Sequence, residues 1–161
     1  MSLMARNKGK RGERAVIDWL QPLVDSICDE LYIKRLILQR NTIQSDKGGT
    51  DIVGIDWMAA EVKNVENDTP GLLDSWWQQC VDQAEKWSVS GRPRLCPVLF
   101  YMRNRRPIRV RMFGIIFDKN SRDTAREVWC NAVIDIDRES FENYFIQRTK
   151  LELQKEVKPC T

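Results

Sequence analysis

The segment GGTDIVGIDWMAAEVKN, residues 48–64, limits the possible folds more than any other part of the chain. Two strand-like runs, TDIVGI and WMAAEVK, are joined too tightly for anything but a hairpin. With the turn centred near Asp56, residues equidistant from it face one another. Asp51 then becomes the cross-strand partner of Glu61, with side chains about 5 Å apart on one face. Directly opposed carboxylates repel, and a purely structural sheet avoids them. A divalent cation between them reverses the sign of that energy, and ligation by carboxylate, water and phosphate oxygen suits Mg²⁺. The period of two puts Ala59, Glu61 and Lys63 on one face, and Met58, Ala60 and Val62 on the other. Lys63 therefore shares the carboxylate face, where an ammonium orients a water or neutralises charge developing on phosphorus. The Val62 carbonyl lies between them as a further ligand. All of this depends on register, because a slip of one residue would send the two carboxylates to opposite faces.

The flanking sequence predicts helices on either side. From Gly12 to Tyr32, apolar Val16, Leu20, Leu23, Val24, Ile27 and Leu31 recur at helical spacing, with Pro22 set to kink or split the helix. Glu13 joins this apolar stripe, where an acid is costly unless paired; it either reaches the same metal or marks a solvated first turn. LILQRN (36–41) reads as a strand. Asp68 or Thr69 caps a second helix over LLDSWWQQCVDQAEKW, with Pro70 at its first position. CPVLFYM (96–102), IRVRMFGIIF (108–117) and NAVIDI (131–136) are further strands, KNSRDTAREVW is ambiguous, and a third helix is capped at Asp137. The predicted order is helix, three strands, helix, further strands, helix: an α/β fold with a small mixed central sheet flanked by helices. Residues 1–11 read as a flexible basic arm, of which Met1 to Leu3 look like a cloning remnant; 12–148 form the domain and 149–161 a polar tail.

Composition removes whole classes of chemistry. The 161 residues include no histidine, which excludes Ser-His-Asp and Cys-His nucleophile activation and the histidine metal motifs. Five scattered cysteines without a CxxC pair argue against a disulfide framework or structural zinc and for a reducing cytoplasm. Neither a signal peptide nor a membrane span is expected. The net charge of +3 is modest, but it is clustered. Lys8, Lys10, Arg11 and Arg14 stand near the start, and Arg103, Arg105, Arg106, Arg109 and Arg111 follow PVLFYM. Two such clusters suit an anionic polymer, and arginine forks suit phosphate.

The stretches GKRGERAVIDWL, GGTDIVGIDWMAAEVKN and WWQQCVDQAEKW…PVLFYMRN together resemble the PD-(D/E)xK nuclease superfamily. The likeness is to its Holliday-junction-resolvase branch and to small phage-encoded endonucleases, and it covers residues 8–103. It implies a restriction-endonuclease-like αβββαβ core and hydrolysis of phosphodiester bonds in DNA, including branched DNA. Mg²⁺ or Mn²⁺ dependence, a homodimer and a phage or bacterial origin in the host cytoplasm are implied as well. By the resemblance Asp51 and Glu61 are metal ligands, Lys63 positions the water, and Glu13 is an accessory ligand. A helix glutamine completes the motif; Gln79 and Gln83 both qualify, with Gln83 favoured. Thr50 stands where the family has proline. Trp76, Trp77 and Trp87 either stack on unpaired bases or pack in the core. The competing expectations are a non-catalytic DNA-binding protein on the same fold, and an interaction protein that uses the tryptophan helix.

Overall fold

The computed structural model describes residues 3–42, 50–66, 69–88, 95–103, 106–118 and 126–157, with the backbone alone described at 3–7, 87–88, 115–118, 126–131 and 156–157. The first helix, α1, spans Leu3–Glu30. It takes in the basic segment expected as a flexible arm, because Ala5, Lys8, Lys10, Arg11 and Arg14 are all good helix formers. Pro22 lies inside it without splitting it. Strands β1 (Gln39–Arg40), β2 (Ile52–Val53) and β3 (Met58–Val65) follow, then α2 (Pro70–Ser88). Strands β4 (Cys96–Arg103), β5 (Arg109–Asp118) and β6 (Arg126–Ile136) lead to α3 (Arg138–Val157).

Capping follows the sequence signals. The Leu72 N–H donates to Thr69 Oγ1 at 3.3 Å, so Thr69 caps α2 and Pro70 takes the first helical position, where its missing N–H costs nothing. Asp137 Oδ1 accepts the Ser140 N–H at 2.8 Å and caps α3. α3 continues to Val157, so residues 149–157, expected in a fraying tail, are helical. Thr149 is buried and accepts the Trp57 indole N–H at 3.2 Å, which anchors this part of the helix to the core.

The six strands form one mixed sheet in sequence order, with β3 and β4 its parallel pair and the other neighbours antiparallel. The parallel pair requires a crossover, and α2 supplies it. β3 divides as period two dictates. Met58, Ala60 and Val62 join the main core with Val16, Leu20, Phe100, Phe141 and Phe145, beneath α1 and α3. Ala59 packs with Ala84 and Leu95 on the other face, where Leu73, Trp77 and Cys80 of α2 also meet Leu99 and Tyr101 of β4. Among the described residues no helix is long and apolar enough to cross a membrane.

Two glycines allow close approach. A Cβ on Gly12 would come within 2.9 Å of Asn64 Cβ, so its absence seats α1 directly on the end of β3. Gly54, with φ +109°, makes the left-handed turn after β2, and a Cβ there would lie 2.4 Å from the Ile37 carbonyl oxygen.

Candidate active site

The β2–β3 pairing sets Ile52 opposite Ala60, the register in which Asp51 faces Glu61 across a turn centred near Asp56. The ladder is short, and Thr50 and Asp51 extend it with side chains. Thr50 Oγ1 accepts the Ala60 N–H at 2.7 Å, while the Asp51 N–H donates to the Ala60 carbonyl at 2.7 Å. The Asp51 carboxylate then accepts the Val62 N–H at 2.7 Å. A strand residue points its N–H and C=O to the same side, so the Val62 carbonyl shares the edge that Asp51 occupies.

On the α2 face, Glu61 and Lys63 stand side by side as expected. Lys63 Nζ lies 2.5 Å from Glu61 Oε1. The side-chain amide of Gln79 bridges the two: Lys63 donates to its Oε1 at 3.2 Å, and its Nε2 donates to Glu61 Oε1 at 3.2 Å. Gln79, not the favoured Gln83, is therefore the glutamine brought to these residues. α2 runs back along β3, so Cys80 and Ala84 meet Ala59, and Gln83, one turn beyond Gln79, lies toward the start of the strand.

Both carboxylates are buried, Asp51 at 8 % exposure and Glu61 at 4 %. Burial, followed by the Glu61 charge, pushes the Asp51 carboxyl up to about 7; the Val62 N–H pulls it down, and the charge of Glu13 adds to the rise. Burial also pushes the Cys80 thiol up, with Glu61 adding, so this cysteine is a neutral packing group behind the site.

Glu13 is near enough for its charge to act on Asp51, but its carboxylate is taken by the Arg40 guanidinium of β1 in a short ion pair. Among the described residues no three His, Cys, Asp or Glu side chains are grouped so as to hold a metal. Glu13, expected as an accessory ligand, is paired with Arg40 in this arrangement. Sequence reasoning missed Arg40; the signal was an acid on an apolar stripe, which demands a cation nearby.

The basic residues separate into two groups. Lys10, Arg11 and Arg14 are exposed on α1, and Lys8 is half-buried with Nζ 3.6 Å from Glu66. Arg103, Arg106 and Arg109 are exposed around the β4–β5 turn, and Arg105 lies outside the described residues. Arg111, expected among the DNA-binding cations, is engaged by two carboxylates. Its Nε and Nη2 donate to Asp135 at 2.8 and 2.7 Å, and Nη1 donates to Asp74 at 2.7 Å. Of the tryptophans on α2, Trp77 is in the core with its ring centroid 5.0 Å from Phe113, Trp76 is half-buried against the same cluster, and the Trp87 side chain lies outside the described residues.

No family model, curated protein or solved structure matches this chain.

Proposed function

We propose that this chain is a Mg²⁺- or Mn²⁺-dependent DNA endonuclease of the PD-(D/E)xK kind, acting as a homodimer on branched or junction DNA. The observation that supports it is the burial of Asp51 and Glu61 on paired strands, with Lys63 2.5 Å from Glu61. Two adjacent buried carboxylates are unfavourable by themselves, and the raised proton affinity of Asp51 expresses that cost. A hard cation relieves it, and the donors present are the oxygens such an ion prefers. Asp51, Glu61 and the Val62 carbonyl would hold it. Glu13 would serve as an outer acid that becomes available when Arg40 turns to a phosphate.

A bound divalent ion supplies Lewis acidity and lowers the pKa of water. The chain supplies position and charge. The Val62 N–H fixes the Asp51 carboxylate, and Gln79 holds Glu61 and Lys63 in mutual register. The Lys63 ammonium faces the phosphodiester and stabilises negative charge as it grows there. The exposed arginines at the β4–β5 turn and the cations along α1 bind the backbone.

A non-catalytic DNA-binding protein on the same fold is the second reading, and the Glu13–Arg40 pair favours it, because it leaves an accessory acid neutralised. Cleavage of a panel of branched and linear DNAs in Mg²⁺, Mn²⁺ and EDTA separates the two. The nuclease reading expects metal-dependent nicking that falls about 10²–10³-fold in Lys63→Ala with DNA binding retained. Binding without nicking in any metal would leave only the second reading.

A further inference from the structure

A cleft of about 750 Å³ opens beside the candidate active site. Sheet register places it there. Lys63 pairs with Tyr101 on β4, and Tyr101 pairs with Arg109 on β5, so one transverse row runs from the site to the cleft. Residues directly across neighbouring strands share a face, and Lys63, Tyr101 and Arg109 therefore all lie on the α2 side of the sheet.

The lining has two characters. Leu73, Tyr101, Pro107 and Ile108 make an apolar wall. Arg103, Arg106 and Arg109 add three exposed guanidinium groups. Two further arginines at the cleft are committed elsewhere: Arg111 to Asp135 and Asp74, and Arg138 to Glu142 at 2.9 Å. Asp137 and Glu139 also line it, but the Asp137 carboxylate is turned to the Ser140 N–H as the α3 cap. Among the described residues no ion pair involves Arg106 or Arg109.

We propose that this cleft holds a single-stranded DNA segment next to the scissile phosphate, with phosphates on Arg106 and Arg109 and a base against the Pro107–Ile108 wall. The inference rests on the nuclease reading for the identity of the scissile site and deepens it to a substrate class: DNA with an unpaired arm at the cleavage point. Size and chemistry together favour this occupant. The volume is in the range of small-ligand clefts, roughly 300–1,000 Å³, a space that about one or two nucleotides would fill. Cations alone would suit any DNA backbone. An apolar wall beside them is useful only when a base is free of its partner and can leave the stack, as in single-strand binding.

The test uses wild-type full-length protein in EDTA, where no cleavage occurs, and fluorescence anisotropy with two labelled DNAs: a blunt duplex, and the same duplex with a splayed single-stranded arm. Wild type should bind the splayed DNA about tenfold more tightly than the blunt one. Arg106→Ala/Arg109→Ala should remove that preference, weakening binding of the splayed DNA about tenfold more than that of the blunt duplex, which loses only its share of backbone contacts. It should also reduce the slope of log affinity against log salt for the splayed DNA by about 1.4, at ~0.7 for each single-strand phosphate no longer neutralised. Both side chains are exposed, and the charge reversal Arg106→Glu, which repels a phosphate at that position, should also remove the preference. Equal affinity of wild type for the two DNAs, or a preference that survives both variants, overturns the proposal. Because no step needs metal, Mg²⁺-dependent cleavage without a splayed-arm preference sinks this inference alone, and the preference without cleavage sinks the nuclease reading alone.

Discussion

At the scale of the residue, Asp51 concentrates the energetics of the site. Its carboxyl passes from an ordinary value of 3.8 in the unfolded chain to about 7 in the folded one, chiefly by burial and then by the Glu61 charge. Between those values the folded protein binds more protons than the unfolded, so stability falls as pH rises through the window. Thermal unfolding in EDTA should show Tm declining from about pH 5 to about pH 8. Asp51→Asn, which keeps an acceptor for the Val62 N–H, should flatten the profile and exceed wild type in Tm near pH 8. Adding Mg²⁺ should restore wild type at the alkaline end and do little at the acid end, since proton and cation compete for one carboxylate. A flat wild-type profile would show that Asp51 ionises without penalty and would remove the electrostatic reason for a cation.

At the scale of the element, the decisive features are how α1 and α2 sit against β3. Gly12 permits contact with Asn64, so Gly12→Val should cost about 1–3 kcal/mol in chemical denaturation, as overpacking does. Gly9 has open space around it, and Gly9→Ala should stabilise the helix by about 0.5–1 kcal/mol. On the nuclease reading, the α2 register predicts that Gln79→Ala reduces cleavage severalfold while Gln83→Ala leaves it unchanged, measured as single-turnover rates. The division of β3 into two faces and the Asp51–Glu61 register were legible in the sequence, because strand period and a tight turn leave one solution. The choice between Gln79 and Gln83 was not, because residues one turn apart share a helix face and only the packing of Cys80 and Ala84 on Ala59 decides between them. Arg40 was hidden in a strand of two residues, too short to carry a period. Charge clustering says nothing of the ion pairs of Arg111 because it counts neighbours in sequence, whereas the partners Asp74 and Asp135 arrive from α2 and β6. The length of α3 is hard to read for a related reason: Phe141 and Phe145 bury its first half in the main core, whereas the polar second half is anchored by buried Thr149.

At the scale of the whole molecule, α3 closes the main core over the face opposite the site. Truncation after Arg148, the boundary that hydrophilicity alone suggests, would remove Thr149 and leave the Trp57 indole N–H without its acceptor. The cost should be at least about 1–3 kcal/mol, read as a lower denaturant midpoint. The sheet itself consists of two antiparallel blocks, β1–β3 and β4–β6, joined by the β3–β4 pair. Pairing between chain neighbours forms early and cheaply, whereas parallel pairing across a crossover waits for loop closure. Glu61 and Lys63 stand on one side of that join, and Tyr101 and the arginine cleft stand on the other. Completion of the site therefore requires the two blocks to dock. On the nuclease reading, recovery of DNA binding after dilution from denaturant should trail recovery of the far-ultraviolet circular dichroism signal, because the arginine cleft and the carboxylates meet only across the parallel join.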